Sequence, residues 1–221
     1  MPRMPRLVVP GFPHHVTQRG ARKQRTFFSD TDYKTYIDIL ATAAAELNVD
    51  TWAYCLMPNH VHLVVVPQHR DGLARVFRKA HRKYAALINS REGWQGHLWQ
   101  ERFHSYVMDE EHLLAAVRYV EMNPVRAGLC QHPREWRWSS YHAHLAGLDD
   151  KLVSVRAMLE RIVDWNKFLA LVESDNRLND IRSHTSSGKP FGSTAFVAQV
   201  ERASYLGRNR SSLDRRQNPV A

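Results

Sequence analysis

The order of hydrophobic patterns along the first 125 residues is the feature that most limits how this chain can fold. Alternating or β-branched runs predict strands, and each run is bounded by glycine, proline or a polar turn. The four predicted strands are His14–Arg19, Thr51–Met57, Val61–Val66 and Phe103–Met108. The dipeptide at residues 58–59, Pro-Asn, is a turn signal, so the second and third strands are expected to form a hairpin.

Three stretches between and after these strands have apolar residues at helical spacing. They begin after the candidate N-caps Ser29 and Asp30, after Gly72, and after Asp109. The first six elements follow the order strand, helix, strand, strand, helix, strand, which is the split βαβ pattern. We therefore expect an α+β protein with a ferredoxin-like (RRM-like) antiparallel sheet, with helices on one face and the other face open for a ligand.

Beyond about residue 125 the pattern weakens. Residues 136–141 (WRWSSY) suggest a packed aromatic turn, residues 153–172 are predicted to be helical, and a short helix is expected around residues 196–205. The chain from residue 184 is rich in Ser and Arg, which favours a basic, mobile tail. The expected division is a domain over residues 10–130, a helical and irregular extension over 131–183, and the tail over 184–221.

Composition limits the functional classes. A hydrophobic content of 43% in 221 residues fits a soluble globular protein, and the apolar runs are far too short for a membrane span. Only two cysteines occur and the first residues lack a signal-peptide pattern, so free thiols and a cytoplasmic location are expected. No membrane partner is predicted.

The charge indicates a polyanion as partner. Lys and Arg number 31 against 22 Asp and Glu, a net charge of +9, and Arg makes up most of the bases. Arg binds phosphate through a planar fork and stacks on bases, which suits nucleic acid. The predicted DNA-binding residues lie at helical spacing on the second helix: Arg75, Arg78, Lys79, Arg82 and Lys83. A solvated basic face without a partner is the alternative reading.

Two histidines on the third strand are candidate metal ligands. In a strand, residues i and i+2 project from the same face, so His60 and His62 would offer both imidazoles to one ion, with Val61 in the core. The pair His142 and His144 lies in a stretch without strand signature. With 13 His in the chain, ordinary polar residues on a sheet face are the alternative for the first pair.

The last predicted helix adds a second set of groups. Tyr119 and Asn123 are four residues apart, so they share one side of the helix. The amide oxygen of Asn123 is a suitable ligand for a hard cation, and the Tyr119 hydroxyl is a candidate nucleophile for phosphorus. Pro124 places Asn123 in a last, distorted turn. Solvent-facing polar residues are the alternative.

Residues 57–64 (MPNHVHLV) resemble the His-hydrophobic-His (HUH) motif of single-tyrosine transposases, and residues 118–128 (RYVEMNPVRAG) resemble the tyrosine helix of their REP-associated branch. Residues 96–103 (GHLWQERF) and 136–141 are also similar to that branch. The resemblance runs from about residue 10 to about residue 150 and identifies residues 10–130 as the HUH nuclease domain.

The resemblance implies an endonuclease and strand transferase that acts on single-stranded DNA and forms a 5′-phosphotyrosine. Tyr119 would be the nucleophile, and His60, His62 and Asn123 the ligands of a divalent metal, Mg²⁺ or Mn²⁺, where wider relatives have Gln at the third position. No other cofactor-binding residues are predicted. The implied partner is a hairpin of a repetitive extragenic palindrome in a bacterial nucleoid.

Two other functions stay open on the sequence. One is a domesticated protein that binds DNA hairpins with little cleavage, and the other is a single-stranded RNA-binding module of the same sheet topology. The long C-terminal extension favours a monomer over a dimer.

Overall fold

The computed structural model describes residues 6–203, and its centre is a four-stranded antiparallel sheet. The strands are β1 (His14–Arg19), β2 (Val49–Met57), β3 (His60–Pro67) and β4 (His104–Val107). They lie in the order β2-β3-β1-β4, which is the strand order of a ferredoxin-like sheet. The predicted α+β fold is therefore confirmed, including the β2–β3 hairpin with its turn at residues 58–59.

Eight α-helices are named within residues 6–203. They are α1 (Asp30–Glu46), α2 (Gly72–Glu92), α3 (Glu110–Glu121), α4 (Asn123–Arg126), α5 (Tyr141–Ala146), α6 (Arg156–Leu159), α7 (Trp165–Ala170) and α8 (Asp175–Ser187). Single 3₁₀ turns occupy Ala21–Lys23 and Pro133–Glu135, and residues 194–203 are also helical.

The first helix starts where its capping residue predicts. Ser29 accepts a hydrogen bond from the backbone of Asp32, and the Asp32 side chain accepts one from Ser29, which completes a capping box. Asp109 caps α3 in the same way by accepting from the backbone of His112. Local polar side chains thus set the beginning of α1 and of α3.

The two faces of the sheet bury different sets of side chains. Val61, Leu63 and Val65 of β3 pack with α1 and α2 in one apolar cluster. Val64 of the same strand packs with α3 and the helices beyond it in a second cluster. Helices α1 and α2 lie on one face as expected, but the other face, which the sequence left open, is partly covered by α3 and residues 141–191.

The region beyond residue 150 differs from its prediction. Residues 153–172 do not form one helix, because α6 ends at Leu159 and Asp164 caps the separate helix α7 by accepting from Lys167. Helix α8 crosses residue 184, and Phe191, Phe196 and Val200 are buried against the fold. The domain boundaries stay predictions. Residues 204–221, which include the end of the predicted tail, lie outside the described range.

No helix in residues 6–203 is long and apolar enough to cross a membrane.

A buried, neutral histidine predicts acid sensitivity. His81 of α2 is buried, and its Nε2 atom is 3.0 Å from the Tyr36 hydroxyl. Burial lowers the pKa of His81 to about 3. The unfolded chain would protonate His81 near pH 6.5 and the folded chain would not, so stability falls as pH drops from 6.5 towards 4.

Below pH 6.5, we expect the free energy of unfolding of His81→Asn to fall less steeply with decreasing pH than that of the wild type, by about 1.4 kcal/mol per pH unit. Urea denaturation of both proteins at pH 7.5, 6 and 5 measures the difference. Asn keeps a polar partner for Tyr36 but does not titrate. Parallel stability curves for the two proteins would contradict the prediction.

Candidate active site

Strand β3 presents both predicted histidines on the face that α3 covers. His60 and His62 alternate with Val61 and Leu63, which are buried on the α1/α2 face. The centroids of the two imidazole rings are 4.9 Å apart, with an angle of 76° between their planes. The strand period of two therefore brings the pair together as predicted.

Helix α3 brings Tyr119 to the same place. Its apolar side chains Leu113, Val117 and Val120 are fully buried against the sheet. The half-buried Tyr119 ring lies 5.7 Å from the His62 ring, centroid to centroid, with the planes 76° apart. Residues separated by more than 50 positions in the chain thus meet at one site.

Asn123 lies at a break between two helices. Helix α3 ends at Glu121, Met122 caps it, and Asn123 begins the short helix α4, with Pro124 in its first turn. Its amide Nδ2 is buried with no hydrogen-bond partner. In residues 6–203 no hydrogen bond joins the Asn123 side chain to either imidazole, so its part in the site stays a prediction.

The site favours neutral imidazoles. Burial, and then the charge of Arg19, lowers the pKa of His60 to about 4. Burial also holds the pKa of His62 well below its usual value, with smaller effects of His60, His15 and Arg126. A neutral imidazole keeps a lone pair on one nitrogen, which a metal ligand requires.

The predicted metal ligands are two imidazoles and an amide, which are groups that a divalent ion can accept. Within residues 6–203, no group of three or more His, Cys, Asp or Glu is placed to hold a metal. The predicted set has two such residues and an amide, and the Nε2 atoms of His60 and His62 carry no hydrogen bond to any described residue. The third predicted ligand is Oδ1 of Asn123, whereas the atom buried without a partner among the described residues is Nδ2, a hydrogen-bond donor that does not bind a cation.

His15 was missed by the sequence reading. Its Nε2 atom is 3.0 Å from Nδ1 of His62, and its ring centroid is 6.1 Å from that of Tyr119. Neighbouring residues in a strand face opposite sides of the sheet. Val16 faces the α1/α2 core, so His15 faces the other side, and the pairing of β1 with β3 brings it beside the histidines of β3. That alternation, combined with the ferredoxin-like strand order, is the signal that identifies it.

Arg126 lies in the tyrosine-helix motif at residues 118–128, and the sequence alone assigns it no role. Its guanidinium carbon lies 4.1 Å from the Tyr119 ring centroid, and its Nη2 donates to the Tyr119 backbone oxygen. A cation over an aromatic face is attracted by the ring and restricts its movement. Arg126 therefore holds the Tyr119 side chain and adds positive charge beside the phenol.

The five basic residues predicted on α2 are all exposed, but they are not equivalent. Arg75 forms an ion pair of 3.6 Å with Asp71, and Lys79 pairs with Glu46 of α1. Arg78, Arg82 and Lys83 form no ion pair within the described residues. Helix α2 packs on the sheet face opposite His62 and Tyr119, so these charges and the candidate site lie on different sides of the sheet.

Arg78 and Arg82 line a cleft of roughly 770 Å³ between α2 and the loop before β4. Arg6 and Arg102 line the same cleft, and burial followed by the charge of Arg102 lowers the pKa of Arg6 to about 10. The carboxylate of Glu101 lines the same cleft and offsets part of the positive charge of the four Arg. The lining of the cleft therefore has an excess of positive charge.

A buried carboxylate fixes the tyrosine helix from behind. Glu121, two residues after Tyr119, is fully buried and accepts from Ser140 Oγ (2.5 Å), His144 Nδ1 (2.7 Å) and Trp165 Nε1 (2.8 Å). Residues 136–140 also pair with β2, for example through Leu56 N and Trp138 O. The predicted aromatic turn thus anchors α3 to the sheet.

The matching family model is described as "Transposase IS200 like" and covers residues 13–123, about half of the chain. It begins just before β1 and ends at Asn123, so all residues predicted as nucleophile or metal ligand lie inside it.

Two curated relatives carry the name REP-associated tyrosine transposase. One, so named provisionally, is from Haemophilus influenzae and is 26% identical over 113 residues, which are 42% of this chain and 59% of the relative. The other, from Escherichia coli K12, is 20% identical over 126 residues, covering 57% of this chain and 74% of the relative. The chain thus spans less than two thirds of the first relative.

A solved structure described as a REP-associated tyrosine transposase bound to a REP hairpin is similar to this fold. It superimposes with a TM-score of 0.57 at 20% sequence identity, covering 70% of this chain and 92% of the other. At this identity the likeness establishes the shared fold.

Glu121 provides a test of how the helix is anchored. We expect Glu121→Ala to lower the free energy of unfolding by at least about 3 kcal/mol, because three buried donors lose their acceptor. Glu110→Ala on the same helix is the control. Its carboxylate is largely exposed and paired with Arg161, so about 1 kcal/mol or less is expected. Urea denaturation of both variants measures the difference, and equal losses would contradict the anchoring role.

Proposed function

Because the chain belongs to the IS200-like transposase family, whose model spans residues 13–123, we propose that it is a metal-dependent endonuclease and strand transferase for single-stranded DNA. The observation that carries the proposal is the 5.7 Å contact between the His62 and Tyr119 rings. That contact places Tyr119, the candidate nucleophile, beside His62, a candidate metal ligand. The first group comes from α3 and the second from β3, so the site needs both elements.

His60, His62 and Asn123 would hold a divalent ion, Mg²⁺ or Mn²⁺. Two imidazoles and an amide oxygen suit Mn²⁺ by chemistry, whereas Mg²⁺ is the more abundant ion in cells. When bound, such an ion polarises the scissile phosphate and neutralises charge that develops on its oxygens. The low pKa of His60 and His62 keeps both imidazoles available as ligands at neutral pH.

Tyr119 would perform the covalent step. Its phenol oxygen forms a bond to phosphorus while the bond from phosphorus to the 3′ oxygen breaks. The phenol proton is lost to solvent, and the departing 3′ oxygen takes up a proton. The products are a 5′-phosphotyrosine and a free 3′-hydroxyl, so one ester replaces another and rejoining needs no ATP. Arg126, which lies over the Tyr119 ring, would restrict the movement of the phenol during this step.

A DNA hairpin with a single-stranded flank is the proposed substrate. A structurally similar transposase has been solved with a REP hairpin, and this chain carries a net charge of +9. The predicted DNA-binding residues Arg75, Arg78, Lys79, Arg82 and Lys83 are exposed on α2. Since α2 and Tyr119 lie on different faces of the sheet, we propose that α2 binds the phosphates of the hairpin while the flank passes round the sheet to Tyr119.

One chain supplies every group of the proposed site. His62 and Tyr119 are in contact within the same molecule, which supports a monomer as the active unit. The RNA-binding alternative is less well supported, because an RNA-recognition sheet reads bases on an open face. Here Ala53, Val64 and Tyr106 are buried on that face.

A covalent-adduct assay tests the nucleophile. We expect the wild-type chain to form a DNA adduct on a labelled hairpin with Mg²⁺ or Mn²⁺, visible on a denaturing gel. Tyr119→Phe, which removes only the hydroxyl, and a chelator should each abolish it. Tyr141→Phe is the control, because the Tyr141 side chain is buried and its hydroxyl donates to Oδ1 of Asn166.

An adduct that persists in Tyr119→Phe would exclude Tyr119 as the nucleophile. Tight hairpin binding by the wild-type chain without any adduct would favour the domesticated, binding-only protein.

Of the basic residues on α2, Arg75 and Lys79 form ion pairs with acidic residues, so we expect them to contribute less to DNA binding than Arg78 and Arg82. We expect the double variant Arg78→Ala/Arg82→Ala to bind the hairpin more weakly and to lower the slope of log affinity against log salt by about two. Arg75→Ala/Lys79→Ala should have the smaller effect, because Asp71 and Glu46 already neutralise these bases. Titrations at several salt concentrations measure both slopes, and equal slopes for the two variants would refute the difference.

A further inference from the structure

Both imidazoles of the proposed site are hydrogen-bonded at Nδ1. Nδ1 of His60 is 2.6 Å from Oδ1 of Asn59, and Nδ2 of Asn59 donates to the backbone oxygen of Lys23 over 3.0 Å. Nδ1 of His62 is 3.0 Å from Nε2 of His15. Neither Asn59 nor His15 was assigned a role from the sequence.

The chain of bonds through Asn59 fixes the tautomer of His60. A backbone carbonyl only accepts, so the end of the Asn59 amide that faces Lys23 must be its NH₂ group. The amide oxygen then faces His60 and also only accepts, so His60 must carry its proton on Nδ1. In a neutral imidazole, this leaves the lone pair on Nε2.

His15 supplies the matching partner for His62. Its ring is buried on the sheet face, with the Tyr106 ring 5.1 Å away and the Tyr119 ring 6.1 Å away, so its position is set by packing. The planes of the His15 and His62 rings differ by 6°, and the 3.0 Å between Nε2 of His15 and Nδ1 of His62 fits a hydrogen bond in which one nitrogen donates and the other accepts. The Nε2 lone pair of His62 is free when His62 donates from Nδ1 and His15 accepts.

We propose that Asn59 and His15 are positioning residues that hold Nδ1 of His60 and His62 and thereby direct Nε2 of each imidazole to the metal ion. This inference rests on the proposed function. Histidine ligands commonly donate their second N–H to such an outer partner, and loss of the partner weakens metal binding by about 10- to 100-fold. Neither residue touches the substrate in this role.

The first test measures Mn²⁺ affinity by calorimetry on the full chain without DNA. We expect Asn59→Ala and His15→Phe to weaken binding about 10- to 100-fold, because each removes an acceptor. Asn59→Asp and His15→Gln retain an acceptor oxygen and should stay within about threefold of wild type. Hairpin affinity without metal should be the same in all five proteins. Equal Mn²⁺ affinities for Ala and Asp at residue 59, and for Phe and Gln at residue 15, would overturn the proposal.

The second test reads the tautomer directly. Long-range proton–nitrogen NMR spectra of the metal-free chain should show His60 protonated on Nδ1, and Asn59→Ala should give a mixture of tautomers. A wild-type His60 protonated on Nε2 would overturn the proposal whatever the chain does to DNA. A chain with the expected tautomer and Mn²⁺ affinities but no DNA adduct would instead overturn the proposed function and support the positioning role.

Discussion

The packing of α3 on the sheet face that carries His60 and His62 is the interaction on which the site depends. Leu113, Val117 and Val120 bury the apolar stripe of that helix, which fixes its rotation about its own axis. With that rotation set, Tyr119 stands at the edge of the stripe beside His62. Glu121, held by three donors from the chain beyond residue 135, prevents the helix from sliding.

Burial and positive charge act together around the two imidazoles. Desolvation is the main cause of the low pKa of both His60 and His62, and Arg19 and Arg126 oppose protonation further. Neutral imidazoles beside these two guanidinium groups make the surroundings of His60 and His62 electropositive. Arg78, Arg82 and Lys83 of α2, which form no ion pair within residues 6–203, add positive charge on the other face of the sheet.

Much of the fold was predictable because its signals are local. Strand alternation gave β1 without error and placed Val61 in the core, and Ser29 and Asp109 marked the starts of α1 and α3. Residues 153–172 were predicted wrongly as one helix, because their apolar residues at near-helical spacing belong to two short helices around the cap at Asp164.

The sequence by itself determined that His60 and His62 share one face of β3, opposite Val61 in the core, since a strand period of two follows from backbone geometry. Only the tertiary structure decided that Tyr119 contacts His62 and that Lys79 pairs with Glu46. It also decided that His15 and Asn59 contact Nδ1 of His62 and of His60, respectively. These contacts join residues far apart in the chain. Their distances depend on how the two apolar layers pack on the sheet, which no local pattern specifies.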